Sequence, residues 1–133
     1  MQVHRSIVTL ASRLVTAGGV VLSVMSTPAF AAGNPAAGQH IFQSRCSICH
    51  SPMAGQNRVG PTLFDIVGSK SAAVPKYNFS PVLLALKVTW DDATLDKWLT
   101  NPRAMAPGTK MSFAGLANPQ QRADVIAYLA TLK

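Results

Sequence analysis

The chain has 133 residues, enough for one domain with one core. Charged residues make up 13% of it, and twelve Lys and Arg against five acids leave a formal charge of +7. These values exclude a polytopic membrane protein, which needs several apolar spans of about 20 residues, and a disordered chain, which buries little apolar surface. Two cysteines are too few for a disulfide-stapled mini-protein.

Residues 1–31 read as a targeting segment. His4, Arg5 and Arg13 give a positive start, residues 14–25 a short apolar stretch containing two glycines, Pro28 a break, and Ala29-Phe30-Ala31 a small-x-small cleavage site. That order predicts a secretory signal peptide cut after Ala31, leaving 32–133 as a single domain in the periplasm. The apolar stretch is shorter than the roughly 20 residues of a membrane span; an uncleaved N-terminal anchor is the alternative. No twin-Arg pair occurs, which points to the general secretory route. Residues 32–133 hold all five acids, each an Asp, and ten of the twelve Lys and Arg.

Asn34-Pro35 predicts a helix cap followed by Pro at the first helical position, and Gly38, Ile41, Phe42 and Arg45 continue at helical spacing to about 46. Residues 50–78, rich in Gly, Pro, Ser and Asn, read as loop. Ser80-Pro81 opens a short helix over 82–86. Thr89, with an acid three residues on at Asp92, resembles a capping box; Leu95, Trp98 and Leu99 then form the stripe of a helix ending near Asn101-Pro102. Residues 102–117 read as loop with a turn at Pro107-Gly108. Asn118-Pro119 repeats the cap-plus-Pro start of a last helix over about 119–132, with Val125, Ile126, Leu129 and Leu132 on its buried face.

The fold class is therefore all-α: three or four short helices joined by long loops. Structureless loops beyond roughly 12–15 residues argue for something else in the middle of the domain. Leu63, Phe64, Ile66, Val67, Phe79, Phe113 and Leu116, all in loops, need a surface to pack on. A large apolar cofactor supplies one.

Cys46-Ser47-Ile48-Cys49-His50 is C-x-x-C-H, the attachment sequence of c-type haem. Two thiols at a helix end reach the two vinyl groups of one porphyrin, and the adjacent imidazole reaches its iron. A thioredoxin-type dithiol sits at a helix start after a strand, which is absent here. A zinc site lacks a second Cys/His pair. A plain disulfide leaves the empty centre unexplained. For the second axial ligand, His40 lies too few residues before Cys46 and Met53 too few after His50 to reach the far face. Met105 and Met111 both lie in the Pro-rich segment between the last two helices, and spacing leaves both open.

The run from Asn101 to Gly115, with Pro107-Gly108-Thr109-Lys110-Met111 at its centre, resembles the axial-methionine loop of class I cytochromes c of the mitochondrial and bacterial c2 type. Other matches are Gly38 and Phe42, Gly60-Pro61-x-Leu63, Gly68, Val88-Thr89-Trp90, Thr94-Leu95, Trp98-Leu99 and Arg122 to Leu129, so the resemblance covers about 33–133. It implies the small cytochrome c fold around one covalently bound haem c, held by Cys46 and Cys49, with His50 and Met111 as axial ligands of its iron. It implies that Pro61 accepts from the outer nitrogen of His50, that Trp90 donates to a haem propionate, and that Tyr77 and Thr109 belong to the haem surroundings. Gly38 and Phe42 are implied to meet Val125 and Tyr128 where the terminal helices cross. Departures from the family pattern are Phe79, Ser69, Trp98 and Leu83, at positions that commonly hold Tyr, Arg, Tyr and Asn.

The Lys and Arg residues are spread singly, which disfavours a nucleic-acid partner. Arg45, Arg103 and Lys110, with Arg58 and Lys87, are expected to ring the exposed haem edge and to steer the protein to acidic faces. The resemblance implies a soluble monomeric one-electron carrier, not an enzyme and without a small-molecule substrate. Its expected partners are membrane or periplasmic redox proteins: a cytochrome bc1-type complex, a terminal oxidase, a photosynthetic reaction centre or a dehydrogenase.

Overall fold

The computed structural model describes residues 32–133. The predicted signal peptide and its cleavage point at Ala31 lie outside the described residues. The described residues form five short α-helices: α1 (Pro35–Ile41), α2 (Pro81–Leu86), α3 (Asp92–Thr100), α4 (Pro102–Met105) and α5 (Pro119–Leu129). A π-helical turn, Phe42–Cys46, prolongs α1, with Ser47 N donating to the Phe42 carbonyl at 2.9 Å. The sequence placed one helix across 35–46; it is two geometries in succession.

Asn-Pro starts three of the helices. The Asn34 side chain accepts from the backbone N–H groups of Ala36 and Ala37, that of Asn101 from Ala104, and that of Asn118 from Gln120 and Gln121. Each Pro takes the first helical position, where no N–H is needed and φ is already set. Asn101 thus closes α3 and opens α4 at once. The segment 102–117 expected to be loop therefore begins with a helical turn, which raises the helix count above the expected three or four.

The cap of α3 also differs from expectation. Asp91, not Thr89, is the N-cap: its backbone is extended (φ −77°, ψ 171°) and its carboxylate accepts from Thr94 N at 2.7 Å. The Thr89 hydroxyl instead accepts from Lys70 Nζ at 2.7 Å. Residues 69–71 run beside 88–90: Trp90 N donates to Ser69 O and Ser71 N to Val88 O, both at 2.8 Å, with one antiparallel bridge between Lys70 and Thr89. The last helix stops at Leu129, short of the expected 132, and the Thr131 hydroxyl turns back onto the Tyr128 carbonyl at 2.6 Å.

The terminal helices cross where α1 has no side chain. A Cβ on Gly38 would overlap the Asp124 carbonyl and lie 2.9 Å from the Tyr128 Cβ, so only glycine permits this approach. Phe42, one turn on, packs its ring 5.3 Å from that of Tyr128, as the resemblance implied. The buried Asp124 carboxylate is satisfied at the same crossing by Asn34 N at 2.8 Å and Gln120 Nε2 at 2.9 Å. Phe42, Val125, Ile126 and Leu129 continue into a core shared with Trp90, Leu95, Trp98 and Leu99. Arg122 clamps the stretch before α5: it pairs with Asp96 at 2.7 Å and donates to the carbonyls of Leu116 and Ala117.

Candidate functional site

The π turn delivers Cys46 to a tight bend in which Cys49 N and His50 N both donate to the Cys46 carbonyl, at 3.1 and 2.9 Å. Both thiols are free and half-buried. Burial pushes the Cys46 thiol up to about 11, against the opposing pull of Arg45 and with a small further rise from Cys49. A thiol that stays protonated at neutral pH is a poor dithiol nucleophile. Among the described residues, moreover, no three His, Cys, Asp or Glu side chains group as a metal site.

His50 follows directly and is buried. Its Nδ1 lies 2.7 Å from the Pro61 carbonyl. A carbonyl only accepts, so Nδ1 carries the proton and Nε2 keeps its lone pair. Burial holds the imidazole below its ordinary 6.5, partly offset by that hydrogen bond, and the ring is neutral at pH 7. The 50s loop is shaped to hold it. Gly60 N donates to Cys49 O at 2.8 Å, Leu63 N to Ser51 O at 2.9 Å, and the Thr62 hydroxyl to Met53 O at 2.7 Å. Gly60 lies against the ring itself: a Cβ there would be 2.7 Å from Nδ1 and 2.9 Å from Nε2. Sequence reasoning noted Gly60 only as a match to a pattern; its contact with His50 comes from the structure.

Met105 and Met111, left open by spacing, occupy different settings although both are half-buried against the core. Met105 ends α4 and lines an outward groove of about 380 Å³ with residues of α3 and α4, among them Asp96 and Lys97. Met111 lies past the Gly108 turn in a segment without helix. Its N–H donates to the Thr109 hydroxyl at 3.3 Å, and Lys110 Nζ donates to the Asn78 carbonyl at 3.0 Å, tying this loop to the 70s loop.

Trp90 and Trp98 are buried edge-to-face, 5.3 Å between ring centroids. Tyr77 is placed otherwise than as a free phenol donor: its hydroxyl donates to the Val59 carbonyl at 2.8 Å and its ring meets Phe79 edge-on at 4.7 Å, so it joins the 70s loop to the 50s loop. His40 and Met53, set aside from the sequence, are both exposed.

Ser80 is the residue that sequence reasoning missed. Read as a helix start, it makes no side-chain cap on α2. Its Oγ is buried with no hydrogen-bond partner, and a buried hydroxyl is costly unless a polar group meets it. No local pattern flags it, because Ser-Pro before an apolar run reads as a cap. An orphan hydroxyl, a neutral imidazole with one nitrogen committed to the backbone, and two unbridged thiols one turn away fit a large group with polar edges, such as haem c.

The sequence profile of the family described as Cytochrome c matches residues 35–133. The chain belongs to the cytochrome c family. Cytochrome c2 of Rhodomicrobium vannielii is 52% identical over 110 residues, covering 81% of this chain and 86% of that protein. Cytochrome c2 of Rhodopila globiformis is 43% identical over 101 residues, covering 76% and 95%. The solved structure of cytochrome cH from Methylobacterium extorquens superposes with a TM-score of 0.70 at 43% identity, covering 74% of this chain and 99% of that one. As a cytochrome c, the protein has covalently bound haem c as its cofactor, and it is an electron carrier rather than an enzyme. Among the described residues no helix is long and apolar enough to cross a membrane.

Proposed function

We propose that this cytochrome c is a soluble periplasmic carrier, exported by cleavage after Ala31, in which residues 32–133 hold one haem between His50 and Met111. The observation that carries the reading is His50: buried, neutral, its Nδ1 fixed on the Pro61 carbonyl and its Nε2 lone pair left for iron. Haem supplies the reversible one-electron couple. The chain does the rest. Cys46 and Cys49 fasten the group covalently, and Gly60 and Pro61 fix the imidazole plane. Met111, presented by a loop tied to Asn78 through Lys110, would be the second protein ligand of the iron, and a thioether there would raise the potential. Trp90, Ser80 and Thr109 stand as hydroxyl and indole donors for the propionates, with Tyr77 bracing the wall. With His50 and Met111 both held to the iron, no coordination site would remain for a substrate.

The proposed partners are membrane or periplasmic redox proteins of the cytochrome bc1, terminal oxidase, reaction-centre or dehydrogenase kind. The carrier itself acts as a monomer, and its basic side chains steer it to them. N-terminal sequencing of the purified protein tests export: a chain starting at Ala32 is expected, and a chain starting at Met1 would show an anchored subunit instead. Carbon monoxide added to the reduced protein at neutral pH tests the ligand pair. No binding is expected, and ready binding would mean an open sixth position.

A further inference from the structure

The first three described residues are pinned onto α5. A Cβ on Gly33 would overlap the Ala123 carbonyl and lie 2.9 Å from the Ala127 Cβ, so the backbone runs directly along the helix there. Asn34 N donates to the Asp124 carboxylate at 2.8 Å, and Gln120 Nε2 donates to the Ala32 carbonyl at 3.4 Å. Ala32 thereby comes to line a hollow of about 210 Å³, which it shares with Ala123 and Ala127 of α5 and with Asp92 and Asp96 of α3.

The two carboxylates of the hollow differ. Asp96 is committed to Arg122 at 2.7 Å. Asp92 is exposed in the first turn of α3 and has no ion-pair partner among the described residues. The one other charged group of this corner, the Asp124 carboxylate, is taken by Asn34 N and Gln120 Nε2. No Lys, Arg or His lines the hollow. With Asp96 and Arg122 offsetting each other, one negative charge is left beside Ala32.

In an uncleaved chain the Ala32 nitrogen is a neutral amide. Hydrolysis of the Ala31–Ala32 bond takes up one water, sends a carboxylate away on the departing peptide and leaves on Ala32 an amine that is protonated below its ordinary value of about 7.7–8.0. We infer that this new α-ammonium group pairs with Asp92 across the hollow, so that the cut itself adds a lock between the start of the domain and α3. The inference rests on the export reading and adds a consequence to it: the processed protein is more stable than the same chain with its amine masked. An ammonium group held by a carboxylate gives up its proton less readily than a free one. Its contribution to stability is complete below the unfolded value and fades as the pH rises through the folded one.

The test starts with the N-terminal sequence of the purified holoprotein. A start at Ala32 is expected, and any other start overturns the export reading and this inference together. Melting temperatures are then compared for four forms: parent and Asp92→Asn, each with the α-amine free and each with it acetylated at Nα alone. At about pH 6 acetylation is expected to lower the melting temperature of the parent by roughly 1–5 °C, the size of an exposed ion pair in a domain of this length. It should leave that of Asp92→Asn nearly unmoved. Above about pH 10, where the amine is neutral, the two forms of the parent should melt alike. If Asp92 served only the N-terminus of α3, the variant would lose as much with the amine acetylated as with it free. That result, or an acetylated parent that melts with the free one at the lower pH, overturns the inference and leaves the export reading standing. A fall that persists at the higher pH would assign the effect to the bulk of the acetyl group and overturn it as well.

Discussion

Gly60 and His50 touch where no other pair of residue types fits: the glycine Cα faces the imidazole so closely that a methyl group there would lie 2.7 Å from Nδ1. The residue after Gly60 is Pro61, whose carbonyl holds that same Nδ1 at 2.7 Å. One dipeptide therefore sets both the distance and the rotation of the ring.

Gly60→Ala should move the ring off the Pro61 carbonyl rather than merely crowd it. The expected cost is about 1–3 kcal/mol, as for an added methyl in a packed site. Thermal unfolding of the holoprotein, together with the electronic spectrum of the iron, checks this. Gly55→Ala serves as the comparison, since nothing lies within 4 Å of a Cβ there and only its φ of 68° resists the change. The ligand spectrum of that variant should be intact.

Met111→Ala should open the second axial position while haem stays covalently attached. Loss of the iron–sulfur charge-transfer band and a fall in midpoint potential are expected, because the thioether that favours the reduced state is gone. Met105→Ala should keep both, since Met105 lines a groove with Asp96 and Lys97 on the outer side of α3 and α4. The opposite pattern would reverse the ligand assignment.

A chain carrying Cys46→Ala and Cys49→Ala together should take up no covalent haem and be largely unfolded by circular dichroism. The apolar side chains of loop 50–78 that reach the core, Leu63, Ile66 and Val67, are only partly buried, against a backbone entropy of about 1–2 kcal/mol per residue. Native-like helix content in that variant would contradict the idea that the fold depends on its cofactor.

Asp91 gives an acid limb to stability. Hydrogen bonds from Thr94, side chain first and then backbone N–H, hold its carboxyl below the ordinary 3.8. A carboxylate favoured by the fold stabilises it fully above the unfolded value, and that contribution fades as the pH falls through the folded one. Asp91→Asn keeps a capping oxygen without a titrating group. The melting temperature of the variant should therefore match the parent at neutral pH and depend less on pH in acid. Asp91→Ala should melt lower at every pH above the carboxylate range.

Much of this was readable in the sequence because it rests on local chemistry. C-x-x-C-H, Asn34-Pro35, Asn118-Pro119 and the stripe of Leu95, Trp98 and Leu99 each announce themselves within a few residues. Asn101-Pro102 carried the same cap signal as the other two Asn-Pro pairs, yet it read as a helix end, since a proline stops the helix before it as surely as it starts the one after. Thr89 and Asp91 both offered a cap: the Asp91 carboxylate takes Thr94 N, and the Thr89 hydroxyl accepts instead from Lys70, nineteen positions back along the chain. Ser80 and Gly60 were beyond local reading. Their significance lies in what faces them from other segments: an absent partner for one and an imidazole for the other.

The π turn from Phe42 to Cys46 sets an angular phase. An α-helix advances about 100° per residue, and the wider turn spends one residue more on the same arc. Gly38 lies before it, locked against Asp124 at the terminal crossing, and Cys46 and His50 lie after it. The same residues wound as a plain α-helix would cover about 100° more. The thiols and the imidazole would then swing by that angle about the helix axis relative to the crossing. The turn is thus a rotational spacer: it lets the helix keep its grip on α5 while pointing the attachment residues into the centre of the domain.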